Sequence, residues 1–388
     1  MSKVLKRLYL GDVVKSFGTK RLRKLTTEEP ITIVPYLTFT SPNSFTLKTY
    51  NAKKNWDGEL EYSTDTKTWN VWSGTTTLSA DSGKLYLRGT GNTKITGSEG
   101  NRHWVLSGSE ISCCGNIENL LDYATVVKNE HPTMGEYCYR SMFYNCTSLT
   151  TAPELPATTL ADFCYASMFS DCTSLTTEPE LPATTLAEGC YSQMFYGCTS
   201  LTTAPKLSAT TLAEGCYGYM FRDCTNLTTA PELPATTLAE GCYSQMFYGC
   251  TSLTTAPELP ATTLAERCYY GMFRRCTSLT TAPKLPAKTL ATQCYSQMFY
   301  DCTSLTTAPE LPATTLAEGC YADMFNNCTG IILNSAYSEA TPYKYRIPTS
   351  GAGTTASDAL TRMFARTGGT FTGTPSINTT YYTSNTVV

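Results

Sequence analysis

Eight consecutive copies of one 26-residue unit run from Cys138 to about residue 334. A representative copy, starting at Cys190, reads C-Y-S-Q-M-F-Y-G-C-T-S-L-T-T-A-P-K-L-S-A-T-T-L-A-E-G. Its first cysteine recurs at 138, 164, 190, 216, 242, 268, 294 and 320, and a second follows eight residues later each time. Such a unit cannot bury its apolar face alone, so a fixed period of this size predicts a solenoid of stacked copies. The architecture is thereby constrained. The ligand is not, because a solenoid is a surface whose partner is not written into the repeat.

Within the unit, C-Y-x-x-M-F-x-x-C places Cys, Met and the second Cys at i, i+4 and i+8, with Tyr and Phe at i+1 and i+5. This spacing predicts a short helix with one apolar stripe. The segment L-T-T-A-P-E-L-P, as at 149–156, reads as extended with its leucines inward. Prolines such as Pro153 and Pro156 confine ladder pairing to the few residues before them. A second extended piece, A-T-T-L-A at 157–161, leads to the next copy. Paired strands rise about 4.8 Å per coil, whereas packed helices need about 8–10 Å. The mismatch predicts a curved α+β repeat with strands on the concave face and short helices on the convex one.

Sixteen of the eighteen cysteines are the two repeat positions, and the others are Cys113 and Cys114. On a helix, two cysteines eight apart lie about 12 Å apart, beyond the roughly 7 Å a disulfide spans. Buried free thiols acting as small hydrophobes are expected. The C-x7-C spacing and the presence of only His103 and His131 argue against zinc. No cofactor or metal is expected.

The flanks divide into segments. Residues 1–30 are basic, and Lys3, Lys6, Arg7, Lys20, Arg21, Arg23 and Lys24 are candidate docking residues; a solvated tail is the alternative. Residues 31–107 alternate apolar and polar residues between turn clusters, which predicts a small β-sandwich. They hold all four tryptophans, which in such a domain are more often core than sugar-stacking platforms. Residues 108–137 are read as a junction and N-terminal cap, with a short helix around 115–123. Residues 335–388 are read as a degenerate ninth repeat and C-terminal cap, because A-L-T-R-M-F-A-R at 359–366 echoes C-Y-S-Q-M-F-Y-G.

The text M-F-Y-G-C-T-S-L, recurring with this period over roughly residues 115–370, resembles the BspA-like leucine-rich repeats of gut and oral bacteria. The usual L-x-x-L-x-L is here L-T-T-A-P-E-L. Members of that family are mostly surface proteins implicated in adhesion, and similar repeats occur in bacteriophage genes of gut Bacteroidales. The N-terminal L-Y-L-G-D-V-V-K is similar to short modules of phage tail-associated proteins. The resemblance implies binding to a host-cell surface glycan or protein, with other virion proteins meeting the N-terminal region.

Two faces compete for that ligand. On the strand side run a threonine row beginning at Thr150 and a charged row of Glu154, Glu180, Lys206, Glu232, Glu258, Lys284 and Glu310. A periodic polymer would match such a lattice; the simpler reading is that threonine is a good strand former. On the helix side the copies differ most, and Tyr196, Tyr248, Tyr300, Arg274 and Arg275 are of the types enriched at binding hot spots. Drift on a solvated face is the alternative there.

A net charge of −3, with 16% charged residues, leaves no basic stripe for nucleic acid. No run approaches the roughly 18 apolar residues of a membrane helix, and charges break every apolar run in the first residues, unlike a signal peptide. No phosphate loop, paired-carboxylate motif or nucleophile setting stands out. The expectation is a non-enzymatic binding and adhesion protein, located in a virion (phage tail or fibre) or on a bacterial surface, with no membrane insertion. A homo-oligomer is compatible with this. The alternatives are a cytoplasmic protein–protein scaffold and a glycan-degrading enzyme using the tryptophan-rich region.

Overall fold

The computed structural model of the chain describes residues 34–100, 102–347 and 358–388. The candidate docking residues Lys3 to Lys24 lie outside them.

Alternation of apolar and polar residues sets the first strands. These are β1 (Leu37–Thr40), β2 (Phe45–Thr49), β3 (Glu59–Ser63), β4 (Asn70–Val71), β5 (Leu78–Ala80), β6 (Lys84–Thr90), β7 (Trp104–Ser107) and β8 (Ile111–Cys114). They form two sheets, one ordered β4-β3-β6-β1-β8 and the other β5-β2-β7, with all these pairs antiparallel. Leu37, Phe39, Leu47, Leu60 and Leu85 point into one shared core with Trp56, Trp72 and Trp104. Trp69 is half-buried instead, under the Arg88 guanidinium at 4.0 Å. A short helix, α1 (Asn119–Val127), follows, and Asn92 Nδ2 ties it back by donating to Leu120 O at 2.9 Å.

Strands β7 and β8 also begin the repeat stack. Ile95 N–H donates to Cys138 O, Trp104 N–H to Met142 O and Ile111 N–H to Ser148 O, at 2.8–2.9 Å. Strand β8 pairs in parallel with β9 (Leu149–Thr151), which extends the first sheet into the first repeat. Backbone groups that would be orphaned at the open end of the stack are thus satisfied by the preceding strands and loops.

The apolar stripe of the unit is buried as its pattern requires: Cys190, Tyr191, Met194, Phe195, Cys198 and Leu201 are all in the core, as are their equivalents in every copy. The segment is not helical, however. It is a run of linked turns in which every fourth residue has positive φ, such as Gly189 (52°), Gln193 (56°) and Gly197 (68°). Alternate N–H groups bond within the coil: Ser192 to Gly189 O, Met194 to Tyr191 O and Tyr196 to Gln193 O, at 3.0–3.2 Å. The N–H groups between them reach the next coil, with Tyr191 donating to Cys216 O, Gln193 to Gly218 O, Phe195 to Met220 O and Gly197 to Arg222 O, at 2.8–3.0 Å.

This corrects two expectations. The short convex helices are absent, and with them goes the spacing mismatch from which curvature was deduced. On the turn side, successive buried rings stack nearly parallel with centroids 5.5–5.9 Å apart, from Tyr139–Tyr165 through Phe299–Phe325. On the other side, coils meet through single parallel bridges such as Thr151–Thr177, Thr255–Thr281 and Thr185–Thr211. Both sides therefore advance by about one strand spacing per coil. Pairing is limited to isolated bridges, as the prolines dictate.

The cysteines are free thiols, and only Cys114 among them is exposed. The helical distance used to separate them no longer applies. What holds the second column instead is a weak hydrogen bond between coils: Cys172 Sγ donates to Phe143 O, Cys198 Sγ to Phe169 O and Cys328 Sγ to Phe299 O, at 2.9–3.1 Å. Burying each phenylalanine of the stack contributes about 1.5–3 kcal/mol relative to exposure.

The far end continues the pattern through residues 359–365. Tyr321, Asp323, Phe325 and Asn327 donate their N–H groups to Ala359, Thr361, Met363 and Ala365 at 2.8–2.9 Å. Strands β10 (Leu333–Asn334), β11 (Tyr343–Arg346) and β12 (Thr380–Thr383) form a small antiparallel sheet beside this last coil.

Candidate functional surface

The two faces differ in how far their side chains are already engaged. On the threonine row, hydroxyls are used by the stack itself. Thr150 Oγ1 donates to Ile111 O at 3.1 Å, Thr176 Oγ1 to Thr150 O at 3.3 Å, Thr228 Oγ1 to Thr202 O at 3.2 Å and Thr306 Oγ1 to Thr280 O at 3.3 Å. The row is thus largely a device for joining coils.

The charged row is different. Glu154, Glu180, Lys206, Glu232, Glu258 and Lys284 are all exposed, and among the described residues none of them forms an ion pair. Between the Pro-Glu-Leu segments of the first coils lie two adjoining grooves. One, of about 560 Å³, is lined by Pro153, Glu154, Pro156, Pro179 and Glu180. The next, of about 380 Å³, is lined by Glu180, Pro182, Lys206 and Ser208. Glu178 borders both, and sequence reasoning missed it. It replaces an alanine that recurs at 152, 204 and 230, and its carboxylate accepts from Thr203 Oγ1 at 3.2 Å. That single departure within an alanine column was the available signal.

On the turn side, the structure brings Tyr196, Tyr248, Tyr300 and Arg274 into one column with Arg222, another arginine of the same variable positions. The order is Tyr196, Arg222, Tyr248, Arg274, Tyr300, one residue per coil. Arg222 lies 4.2 Å from the Tyr248 ring centre and 5.7 Å from that of Tyr196. Arg274 lies 4.4 Å from Tyr300 and 5.6 Å from Tyr248. Arg222 Nη1 also donates to Gln245 Oε1 at 2.9 Å, and Arg274 Nη1 to Gln297 Oε1. Arg275 stands beside the column, exposed and 3.5 Å from Asp301. Burial, reinforced by Asp223, pushes the Tyr196 phenol up. The ring faces are therefore occupied by guanidinium groups, and the five residues form one continuous column on the surface.

Burial dominates the titration of the core. It raises the repeat thiols, Cys146 and Cys216 to about 12, and the ladder tyrosines such as Tyr165 well beyond their ordinary range. Such thiols are poor nucleophiles and poor metal ligands. Among the described residues, no three of His, Cys, Asp and Glu gather as a metal ion requires. Glu118, buried at the start of α1, is raised by burial and meets His131 Nδ1 at 2.8 Å. No helix among the described residues is long and apolar enough to cross a membrane.

A family model described as the BspA type leucine rich repeat region matches residues 136–279 and 194–332 in six copies, just over half of the chain. The chain belongs to this family. No curated protein and no solved structure matched it. In this BspA-type chain the conserved geometry is the stacked turn segment; the exposed charged row and the Tyr–Arg column are what individual coils vary.

Proposed function

We propose that this chain is a non-enzymatic adhesion protein, virion- or surface-associated, whose repeats form a solenoid that binds an extended cell-surface glycan or protein along the Glu/Lys row. The observation that carries this reading is the contrast between engaged threonines and uncommitted charges. Lattice positions one coil apart are exposed, unpaired and separated by proline-walled grooves. A polymer with its own short repeat can meet several of them at once, and the gain from multiple weak contacts multiplies. The two-sheet domain would be a small sandwich that, with the basic residues 1–30, attaches the repeats to a larger assembly.

The test is retention of the purified chain on isolated bacterial envelopes, compared with a Glu154→Lys/Glu180→Lys/Glu232→Lys variant. These exposed changes should leave the melting curve intact and weaken retention about tenfold or more, roughly 1.4 kcal/mol or beyond. Equal retention would remove the row from the function. Mass spectrometry of density-purified phage particles, envelopes and cytosol places the protein: enrichment in either of the first two is expected, and presence in cytosol alone would favour an intracellular scaffold.

A further inference from the structure

A third groove lies away from the Pro-Glu-Leu segments, where the two-sheet region meets the first repeat. It encloses about 280 Å³ and is lined by Lys48, Tyr50, His103, Trp104, Tyr144 and Asn145, with Val105. Three aromatic rings shape it. Tyr50 stacks on His103 with centroids 4.4 Å apart, and Tyr144 meets His103 edge-on at 5.4 Å. Tyr50 is 60% exposed and Tyr144 39%, so each tyrosine offers ring surface to solvent.

The floor carries an unmet polar group. His103 is 9% exposed, and among the described residues its buried Nδ1 has no hydrogen-bond partner. Leaving such a group unpaired costs about 1–3 kcal/mol, and an unpaired buried group beside an open groove is where a ligand's hydroxyl or carbonyl gains most. Burial holds the imidazole pKa down, against a smaller opposing pull from the Gly100 carbonyl, so the ring is neutral and can accept as well as donate. Among the described residues Lys48 is the sole charged one lining the groove, and no carboxylate shares that lining.

We propose that this groove is a binding subsite for a single acidic sugar ring, a hexuronic acid at the end or side of a glycan. The C–H face of a pyranose suits an exposed tyrosine ring. A ring hydroxyl supplies the partner that His103 Nδ1 lacks, and the carboxylate complements Lys48. A volume somewhat below the usual range for drug-sized ligands suits one ring rather than an oligosaccharide. The site does not depend on the Glu/Lys row, since it draws on different residues on a different part of the molecule.

Titration of the full chain with glucuronic acid and, separately, glucose, followed by tryptophan fluorescence and by ligand-observed NMR, tests this. Glucuronic acid should bind with a Kd on the order of 1 mM and glucose several-fold more weakly. Tyr50→Ala should weaken glucuronic acid about tenfold, and Lys48→Met should abolish the preference over glucose. Because both residues sit at the surface, thermal melting should be unchanged, and the charge-reversed row variant should bind glucuronic acid normally. Absence of binding by either sugar, or equal affinity in Tyr50→Ala, would overturn the assignment whatever the envelope assay shows.

Discussion

Arg222 sits over Tyr248 with its guanidinium carbon 4.2 Å from the ring centre, and the two residues occupy the same position of adjacent coils. The alternation of Tyr and Arg from Tyr196 to Tyr300 thus converts a surface column into a chain of cation–π contacts. Each arginine is half-buried, and solvent screening is reduced accordingly. A double-mutant cycle of Arg222→Ala and Tyr248→Ala should give a coupling of about 0.5–1 kcal/mol. Additive effects of the two changes would mean the contact is incidental.

Phe247 stacks between Phe221 and Phe273, at 5.7 Å from each, in the middle of the chain of rings. Phe247→Ala should cost about 3–5 kcal/mol. Because each coil contacts only its neighbours, the loss should also split unfolding into two transitions. Calorimetry that retains a single unshifted transition would place the cooperative unit elsewhere.

Gly249 has φ of 72°, and an added Cβ would run into the Asp223 carboxylate. Gly249→Ala should therefore destabilise by about 1–2 kcal/mol from the left-handed backbone alone. Arg275, with φ of 62°, is the opposite case: it is exposed, and Arg275→Gly should be close to neutral in chemical denaturation.

The thiols give the stability a pH dependence. Cys146, Cys164 and Cys216 are pushed up to about 12 in the folded state, whereas an unfolded thiol ionises near about 8.5. As pH rises the unfolded chain loses protons first. The stabilisation is complete below about pH 8.5 and is lost between about 8.5 and 12. The melting temperature should hold from neutral pH to that point and then decline. A flat profile in strong alkali would show that the thiols titrate without unfolding.

Native labelling follows from the same burial. Cys114 is exposed and the other cysteines are buried. Iodoacetamide should modify one thiol in the folded chain and all eighteen after denaturation. Several rapidly modified thiols in the native protein would contradict the packing of the two cysteine columns.

Much of this was legible in the sequence. The period, the buried identity of Cys, Tyr, Met, Phe and Leu, and the strand alternation at Leu37–Phe39 and Leu85–Leu87 follow from pattern alone. The helix did not follow, and the reason is instructive. Apolar residues at i, i+1, i+4, i+5 and i+8 mimic a helical face, but a true helix drifts by about 40° every four residues, and a strict period of four does not. The columns Gly189, Gly215 and Gly241, and Asn145, Asp171, Gly197, Asp223 and Gly249, hold residue types that tolerate positive φ at eight-residue intervals. Those two signals together distinguish linked turns from a helix. The groove at Tyr50 and His103 was not legible, because it joins residues from β2, β7 and the first repeat that no local pattern connects.

The alternating hydrogen bonds of the turn segment have a consequence for how such a chain can change. Every coil presents the same donors to its successor and the same acceptors to its predecessor, so insertion or loss of one whole 26-residue copy disturbs no junction. Duplication within the gene would lengthen the charged row by one step while leaving the segments at both ends of the repeats in place. The number of coils is then free to change without cost to any junction between them.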